Sequence, residues 1–253
     1  MSRTQIFVVA GSLLAAALTG LLGCEGDQGP QGPTAYAPIN ISASVMVPVP
    51  WDETASAFAN IANTSDMPQV TINGLEIPRY STSASYRYDD FPIEYGDSAY
   101  LVVNYSQPNG TPAQAYAAIR VPGQFQFLTP DTSQVMQIQY GDSLVVIWSS
   151  AAGADAYRIQ CYYNLHYYFS GAVVEHQISL NTLLADTSLT LGAQELFPAQ
   201  VDPDSILYGG GNIQISALNG PWQTGDPGNV TGDGIGFFHG WTYGGQIDID
   251  VVE

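Results

Sequence analysis

The sequence predicts an all-β protein in which two tandem β-sandwiches follow an export signal and a flexible spacer. Short stretches that alternate apolar and polar residues recur from about residue 38, as expected for strands with one buried face. Turns rich in Gly, Pro, Asn and Asp separate these stretches. The same region contains no convincing helical pattern, and many short strands without helices are typical of a sandwich.

The composition is that of a folded protein. The chain has 253 residues, which is enough for one or two domains with sizeable cores. It contains 26 Gly, 16 Pro and 16 Tyr but only 11% charged residues, unlike the charge-rich, aromatic-poor composition of disordered proteins.

The charge balance is strongly acidic. Five Arg and no Lys stand against 23 Asp and Glu, so the formal charge is −18, and without Arg3 it becomes 4 − 23 = −19. Such a surface repels phosphate backbones and anionic lipid, which argues against nucleic acid as a partner. It suits cations, or it simply keeps the protein soluble.

The first 23 residues are predicted to be an export signal. Arg3 precedes the apolar stretches 6–10 and 13–18, which are too short and too interrupted by Gly for a membrane-spanning helix. The run Leu21-Leu22-Gly23-Cys24 resembles the lipobox of bacterial lipoproteins. The resemblance implies that Cys24 receives a diacylglycerol and becomes the first residue of the mature chain. An ordinary signal peptide that contains a Cys by chance is the alternative.

The lipobox resemblance also implies a location in the cell envelope. The protein would be lipid-anchored to the bacterial membrane, with its domains facing the periplasm or the cell exterior. Residues 24–37 form the spacer, in which Gly26, Gly29 and Gly32 resemble a collagen repeat, because only Gly fits the axis of a triple helix. Three triplets are too few to hold a trimer, so an extended tether is favoured over trimerisation through this stretch.

The first predicted sandwich covers residues 38–123. Asn73-Gly74 signals a tight turn, and Pro108-Asn109-Gly110 predicts a hairpin between the strands on either side of it. The strand-like stretches lie at residues 39–47, 55–61, 69–72, 84–88, 99–105 and 115–121.

The second predicted sandwich covers residues 124–253 and follows the boundary signal Pro122-Gly123. An apolar strand that ends in Trp leads through a short loop into a strand that carries Tyr, and a later alternating strand ends in Ala-Leu-Asn-Gly. These features lie at residues 143–148, 156–163 and 213–220. They resemble a fibronectin type III domain over roughly residues 130–253, which implies an immunoglobulin-like sandwich.

Three local features qualify this pattern. Residues 192–211 are longer and more irregular than the corresponding part of a fibronectin type III domain. Within them, residues 193–197 fit one helical turn that Pro198 ends. Gly96-Asp97 and Gly141-Asp142 each precede an apolar strand and predict the same tight turn, in which Gly takes a positive φ and Asp accepts from nearby backbone N–H groups. A true repeat of the chain is the alternative.

The chain is predicted not to be an enzyme. Gly141-Asp142-Ser143-Leu144 resembles the motif of the Gly-Asp-Ser-Leu esterases, but it opens a strand in mid-chain. The histidines of the chain are His166, His176 and His239, and none of them has the Asp three residues earlier that those enzymes carry. They also lack the spacing of metal ligands. Cys161 lies in a strand-like run and is predicted to be a buried small hydrophobe.

A loop near the C-terminus is a candidate calcium site. Asp226, Asn229 and Asp233 offer clustered oxygens among glycines, and calcium takes six to eight oxygen ligands in a flexible cage. Ordinary Asp-Gly turns are the alternative. No other cofactor is predicted.

The same stretch is rich in aromatic residues. Trp222, Trp241 and Tyr243 are candidate stacking residues for a glycan, because sugar rings pack on aromatic faces. The alternative is that Phe237 and the residues near it form the core face of the last strands.

These patterns favour a non-catalytic module for adhesion or for binding a glycan or protein ligand, tethered to the membrane through Cys24. A second class is a structural subunit that self-associates through β-strand pairing, since the chain has no Lys with which to block a strand edge. A third class is a hydrolase with catalytic residues on its loops.

Overall fold

A computed structural model of the chain describes residues 36–48, 54–131, 135–222 and 226–252. Helix is limited, within these residues, to one turn of α-helix, α1 (Ala193–Leu196), and a short 3₁₀ helix (Pro203–Ser205). The strands in chain order are β1 (Ile39–Val47), β2 (Ser56–Ala62), β3 (Gln69–Ile72), β4 (Leu75–Glu76), β5 (Ser85–Asp89), β6 (Ser98–Ser106), β7 (Pro112–Arg120), β8 (Phe127–Thr129), β9 (Met136–Ile138), β10 (Leu144–Trp148), β11 (Ala156–Phe169), β12 (Ala172–Leu184), β13 (Ser188–Leu191), β14 (Ile206–Asn219), β15 (Thr231–Gly232) and β16 (Gly234–Val251).

The predicted all-β fold is confirmed, and the alternating stretches are its strands. β1 and β3 have the predicted bounds, and the other predicted strands of the first sandwich lie within three residues of theirs. In β1 the odd-numbered residues are buried, while the even-numbered ones are at least partly exposed. α1 coincides with the predicted helical turn before Pro198.

The turn chemistry is confirmed as well. Asn73 and Gly74 have φ of 51° and 77° and join β3 to β4, and the hairpin after β6 pairs it with β7. Gly96 has φ of 81°, and the carboxylate of Asp97 accepts the backbone N–H of Glu94 at 3.0 Å. In the equivalent turn before β10, Gly141 has φ of 89°, and the carboxylate of Asp142 accepts the backbone N–H of Gln139 at 2.9 Å.

In the described part of the chain, three sheets enclose two buried cores. The largest sheet has the order β12-β11-β14-β16-β1-β2-β5, with β9 also paired to β16. A five-stranded sheet, β15-β7-β6-β3-β4, contributes to the first core, and a three-stranded sheet, β13-β10-β8, contributes to the second. Each core is therefore the interior of a β-sandwich, and the largest sheet belongs to both.

β16 joins the two sandwiches within that sheet. Its first half, Gly234–Thr242, pairs in parallel with β1 and buries Phe238 in the first core. Its second half pairs with β14 and buries Ile247 and Ile249 in the second core. The buried positions change from even to odd numbers, so one extra residue must be accommodated between the halves.

A β-bulge accommodates that residue. Gln214 lies opposite Gln246, whereas Ser216 lies opposite Tyr243, so two steps along β14 match three along β16. The bulge contains Gly244, at which a Cβ atom would lie 2.0 Å from the ring of Phe125. A side chain at this position would displace a buried ring.

The residues of the two cores alternate along the chain instead of forming two consecutive segments. The first core includes residues up to Val121 and the second begins at Phe125, but Val230 and Phe238 return to the first. Residues 37–253 form one compact unit. The division into domains 38–123 and 124–253 stays a prediction.

Candidate functional site

The predicted aromatic residues lie on the outer face of the largest sheet. Along the first half of β16, Phe238, Gly240 and Thr242 are buried, so His239 and Trp241 point to the opposite face. Trp222 reaches that face from the segment after β14. We call Trp222, His239, Trp241 and the adjoining Arg158 the Trp222 cluster.

The rings of this cluster meet edge to face. The Trp222 ring centroid lies 4.3 Å from that of His239, with the ring planes at 74°, and 6.3 Å from that of Trp241, with the planes at 65°. The guanidinium carbon of Arg158 lies 5.0 Å from the Trp222 ring centroid. Trp222 and Trp241 are both half-buried. Two of the three candidate stacking residues are thus neighbours whose ring planes meet at an angle, and a stacking role for them stays a prediction.

Tyr243 extends the same face. It follows Trp241 by two residues on β16 and lies opposite Ser216 of β14, which in turn lies opposite Arg158 of β11. A row across three strands therefore links Tyr243 to the Trp222 cluster.

His239 is the titratable group beneath Trp222. Burial, with a smaller contribution from the positive charge of Arg158, lowers the pKa of His239 to about 4, so its imidazole is neutral at pH 7. Its Nδ1 atom is buried and has no hydrogen-bond partner among the described residues. The sequence offered no signal for this burial, because it depends on a Trp that lies 17 residues away.

Arg158 supplies the positive charge of the cluster. Its Nε donates a hydrogen bond to the side-chain oxygen of Asn181 at 3.0 Å, and burial lowers its pKa. No carboxylate of the described residues lies within ion-pair distance of its guanidinium. A guanidinium has five N–H donors, so Arg158 can also donate to a polar ligand beside Trp222.

The candidate calcium ligands are each hydrogen-bonded to the backbone of a different residue. The Asp226 carboxylate accepts the backbone N–H of Trp222 at 3.0 Å. The Asn229 amide donates to the carbonyl of Phe238 at 2.7 Å and accepts its N–H at 2.8 Å. The Asp233 carboxylate accepts the N–H of Gln114 at 3.0 Å. These bonds tie the loop to β16 and β7.

A metal site at this loop stays a prediction. In the part of the chain that the structure describes, no group of three or more His, Cys, Asp or Glu side chains is placed to hold a metal ion. Asp226 and Asp233 each already accept a backbone N–H, so calcium would have to share these carboxylates with the protein.

The remaining candidate catalytic residues make contacts typical of structural residues; they are His166, His176 and Cys161. His166 stacks on Tyr208 with ring centroids 4.2 Å apart, and its Nε2 lies 4.0 Å from a carboxylate oxygen of Glu175, beyond hydrogen-bond distance. The Nε2 of His176 lies 2.8 Å from the carbonyl oxygen of Glu195. Cys161 is buried as predicted, and burial raises the pKa of its thiol to about 11, so it is not a thiolate at pH 7.

A shallow cavity lies on the outer face of the first sandwich. Its volume is about 280 Å³, and its lining combines the apolar residues Ile61, Ala62 and Ala84 with polar ones, which are Asn40, Ser42, Asn60, Ser83 and Ser85. The Ser85 hydroxyl donates to Asn60 at 2.6 Å. Sequence reasoning missed this cavity because its residues come from separate segments and form no motif.

Comparison with known proteins gives likenesses only among solved structures. No protein-family model and no curated protein sequence matches the chain. It is similar to the fibronectin(III)-like modules of CbhA from Clostridium thermocellum, with a TM-score of 0.29 and 8% identity over 84% of this chain and 92% of that chain. It is also similar to IG1+IG2 of DIP-gamma, with a TM-score of 0.22 and 9% identity over 86% and 99% of the two chains.

A third likeness is to a tetra-tandem repeat in the extending region of a large adhesion protein. The TM-score is 0.20 and the identity 14%, over 83% of this chain and 48% of that chain. The assignment of a β-sandwich fold rests on the sheets and cores of this chain itself.

The predicted lipid attachment site, Cys24, lies outside the described residues, as do the signal and nearly all of the spacer. Among the residues that are described, no helix is long and apolar enough to cross a bilayer.

Proposed function

We propose that this protein is a membrane-anchored, extracytoplasmic binding module without catalytic activity, and that it binds a glycan through the Trp222 cluster. A lipid on Cys24 would hold the sandwiches near the membrane, and the spacer would separate them from it. The acidic surface would keep the exported protein soluble.

The meeting of Trp222 and Trp241 on an open sheet face is the observation that carries the proposal. Half-buried indole rings at an angle offer apolar surface for the C–H face of a sugar. Arg158 lies against one of these rings and can donate to hydroxyl or carboxylate oxygens. An apolar surface with a few polar donors is the usual composition of a small-ligand site.

The surroundings of the histidines and Cys161 support a role in binding over catalysis. His239 is neutral and covered by Trp222, and His176 contacts a backbone carbonyl. Cys161 is part of the second core. General-base and nucleophilic catalysis require such groups to lie within hydrogen-bond reach of one another and of a substrate.

A glycan array with residues 37–253 tests the ligand. We expect binding to at least one glycan class, and its loss in Trp241→Ala, because this change removes apolar stacking surface. Tyr100→Ala is the matched control, since Tyr100 is 58% exposed on the five-stranded sheet, and it should bind like the parent. Equal binding by Trp241→Ala, or hydrolysis of the bound glycan, contradicts the proposal.

Metabolic labelling with a radioactive fatty acid in a bacterial host tests the anchor. The parent should be labelled and sediment with membranes, whereas Cys24→Ser should lose both properties, because the sulfur accepts the lipid. Cys161→Ser is the control and should stay labelled, since Cys161 is buried. A Cys24→Ser protein that still carries label refutes the anchor without affecting the glycan site.

A further inference from the structure

The strand β12 forms a long free edge of the largest sheet. It spans 13 residues and, among the residues that the structure describes, pairs with β11 on one side only, at the end of the strand order. The opposite edge of the sheet, β5, has only five residues and includes the ion pair between Arg87 and Asp89. β12 is therefore the longer edge at which another strand could add.

The turn before β12 determines which backbone groups face outward. Ser170 and Gly171, with φ of 51° and 84°, form a two-residue turn, and Phe169 lies opposite Ala172. In such a hairpin the closing pair is hydrogen-bonded, and hydrogen-bonded and non-bonded pairs then alternate. The outward N–H and C=O groups accordingly belong to the odd-numbered residues, from Val173 to Leu183.

β12 lacks the usual protection of a free edge. Natural edge strands commonly carry Lys, Pro or a bulge that prevents pairing with another chain. Residues 172–184 contain no Lys, Arg or Pro, and their single acidic residue is Glu175. The register with β11 is unbroken from Tyr157 to Phe169.

The inner side chains of β12 are left incompletely buried. An aliphatic row packs against the second core but keeps part of its surface in water, and it consists of Val174, Ile178, Leu180 and Leu184. A strand added at this edge would cover the row and continue the core.

The order of residues in β12 is self-complementary about Ser179. Turning the strand by 180° at this residue matches Ile178 with Leu180, Gln177 with Asn181 and Val174 with Leu184. The apolar residues then meet on the inner face and the amides on the outer face, which is the arrangement that stabilises cross-strand pairs. A second copy of the same strand therefore supplies apolar partners on the inner face and amide partners on the outer face.

Charge does not prevent this arrangement locally. Glu175 would lie opposite Leu183 of the second copy, and the two Glu175 residues would be eight residues apart along the strand. That separation is about 27 Å, several times the Debye length of about 8 Å at physiological ionic strength.

We propose that two copies of the protein pair in antiparallel fashion through β12, about a two-fold axis at Ser179, to form one continuous sheet. At the axis, Ser179 of one copy lies opposite Ser179 of the other, and the two residues are joined by hydrogen bonds between their outward backbone N–H and C=O groups. This dimer does not require glycan binding, because the pairing uses the backbone of the sheet edge, although Asn181 of that edge also accepts a hydrogen bond from Arg158 of the Trp222 cluster.

Sedimentation equilibrium at physiological salt tests the dimer, with residues 24–253 carrying Cys24→Ser. We expect a concentration-dependent dimer that is lost in Ser179→Pro, because Pro removes the outward N–H at the axis without removing a bond to β11. Ser179→Ala keeps that N–H and should dimerise like the parent. A monomeric parent, or a Ser179→Pro protein that still dimerises, overturns the proposal.

Cross-linking tests the register without relying on a Pro substitution. A Cys at the axis, in Ser179→Cys, should join two copies through a short bis-maleimide, because the two sulfurs face each other. Glu175→Cys is the matched control on the same exposed face and should remain uncross-linked. Equal cross-linking of both variants, or of neither, contradicts pairing about Ser179.

Discussion

His239 illustrates how a single residue depends on a distant part of the chain. Its position on β16 places it on the outer face, where an imidazole would ordinarily be in water. Trp222 covers it, and Arg158 lies nearby, so both burial and charge disfavour its protonated form. The consequence is a stability that depends on pH.

Lowering the pH from 7 to 5 should destabilise the protein through His239. The pKa of His239 is about 4 in the folded state and near its ordinary 6.5 in the unfolded state, so the unfolded chain binds more protons in between. We expect the free energy of unfolding to fall by about 2 kcal/mol over this interval. Urea unfolding at both pH values measures it.

His239→Gln and His176→Gln make this prediction specific. His239→Gln removes the titrating group, so its loss of stability between pH 7 and 5 should be smaller by nearly the whole amount. His176→Gln should keep the pH dependence of the parent. The explanation is wrong if His239→Gln and the parent lose the same free energy.

At the scale of elements, regular alternation was sufficient to predict strands, and irregular alternation was not. β1 and β3 were predictable because each turns one face to the core along its full length. β16 was not predicted as one strand, since its bulge reverses the parity of the buried residues in mid-strand. β12 was missed because it has no fully buried residue, so its pattern of polarity is weak.

The bulge in β16 should not tolerate a side chain at Gly244. In Gly244→Ala the added Cβ would lie 2.0 Å from the ring of Phe125, and either the ring or the strand must move. We expect a loss of about 1–3 kcal/mol in the free energy of unfolding, the usual cost of overpacking a core. Urea unfolding at pH 7 measures the loss.

Gly192→Ala is the matched control for this substitution. Its added Cβ would find its nearest neighbour, an oxygen of Glu195, at 3.5 Å, which is ordinary contact. Its stability should stay within about 0.5 kcal/mol of the parent. Equal losses in the two variants would show that the contact with Phe125 is not responsible.

For the whole molecule, the shared strand β16 makes the two sandwiches depend on each other. The first core contains Val230 and Phe238, which come from the far end of the chain. In the largest sheet, β1 lies between β2 and β16, so removing β16 exposes an edge of β1 and one side of the core. The two sandwiches should therefore unfold together.

Calorimetry and fragment expression test this dependence. Residues 37–253 should unfold in a single transition whose calorimetric and van't Hoff enthalpies agree. A fragment of residues 37–123 should fail to fold, because it lacks Val230, Phe238 and the strand beside β1. Two separate transitions, or a fragment with a folded NMR spectrum, would contradict a shared strand that couples the cores.

The candidate site was predictable only in part. Trp222 and Trp241 stood out as large aromatics in one stretch of sequence, and the structure brings their rings together. Arg158 was not connected with them, because it lies 64 residues before Trp222 and reaches it only through the pairing of β11 with β14. The acidic side chains of the loop were visible, but not their bonds to backbone groups of β7 and Trp222.

By itself, the sequence determined the all-β class, the strands of the first sandwich and the tight turns. Each of these depends on residues a few positions apart, through the two-residue period of a strand or the φ of one Gly. Tertiary structure alone decided that β16 lies beside β1, that both cores share one sheet, and that Trp222 covers His239. These contacts join residues far apart in the chain. They form because the apolar faces of both sandwiches are buried only when the last strand lies beside the first.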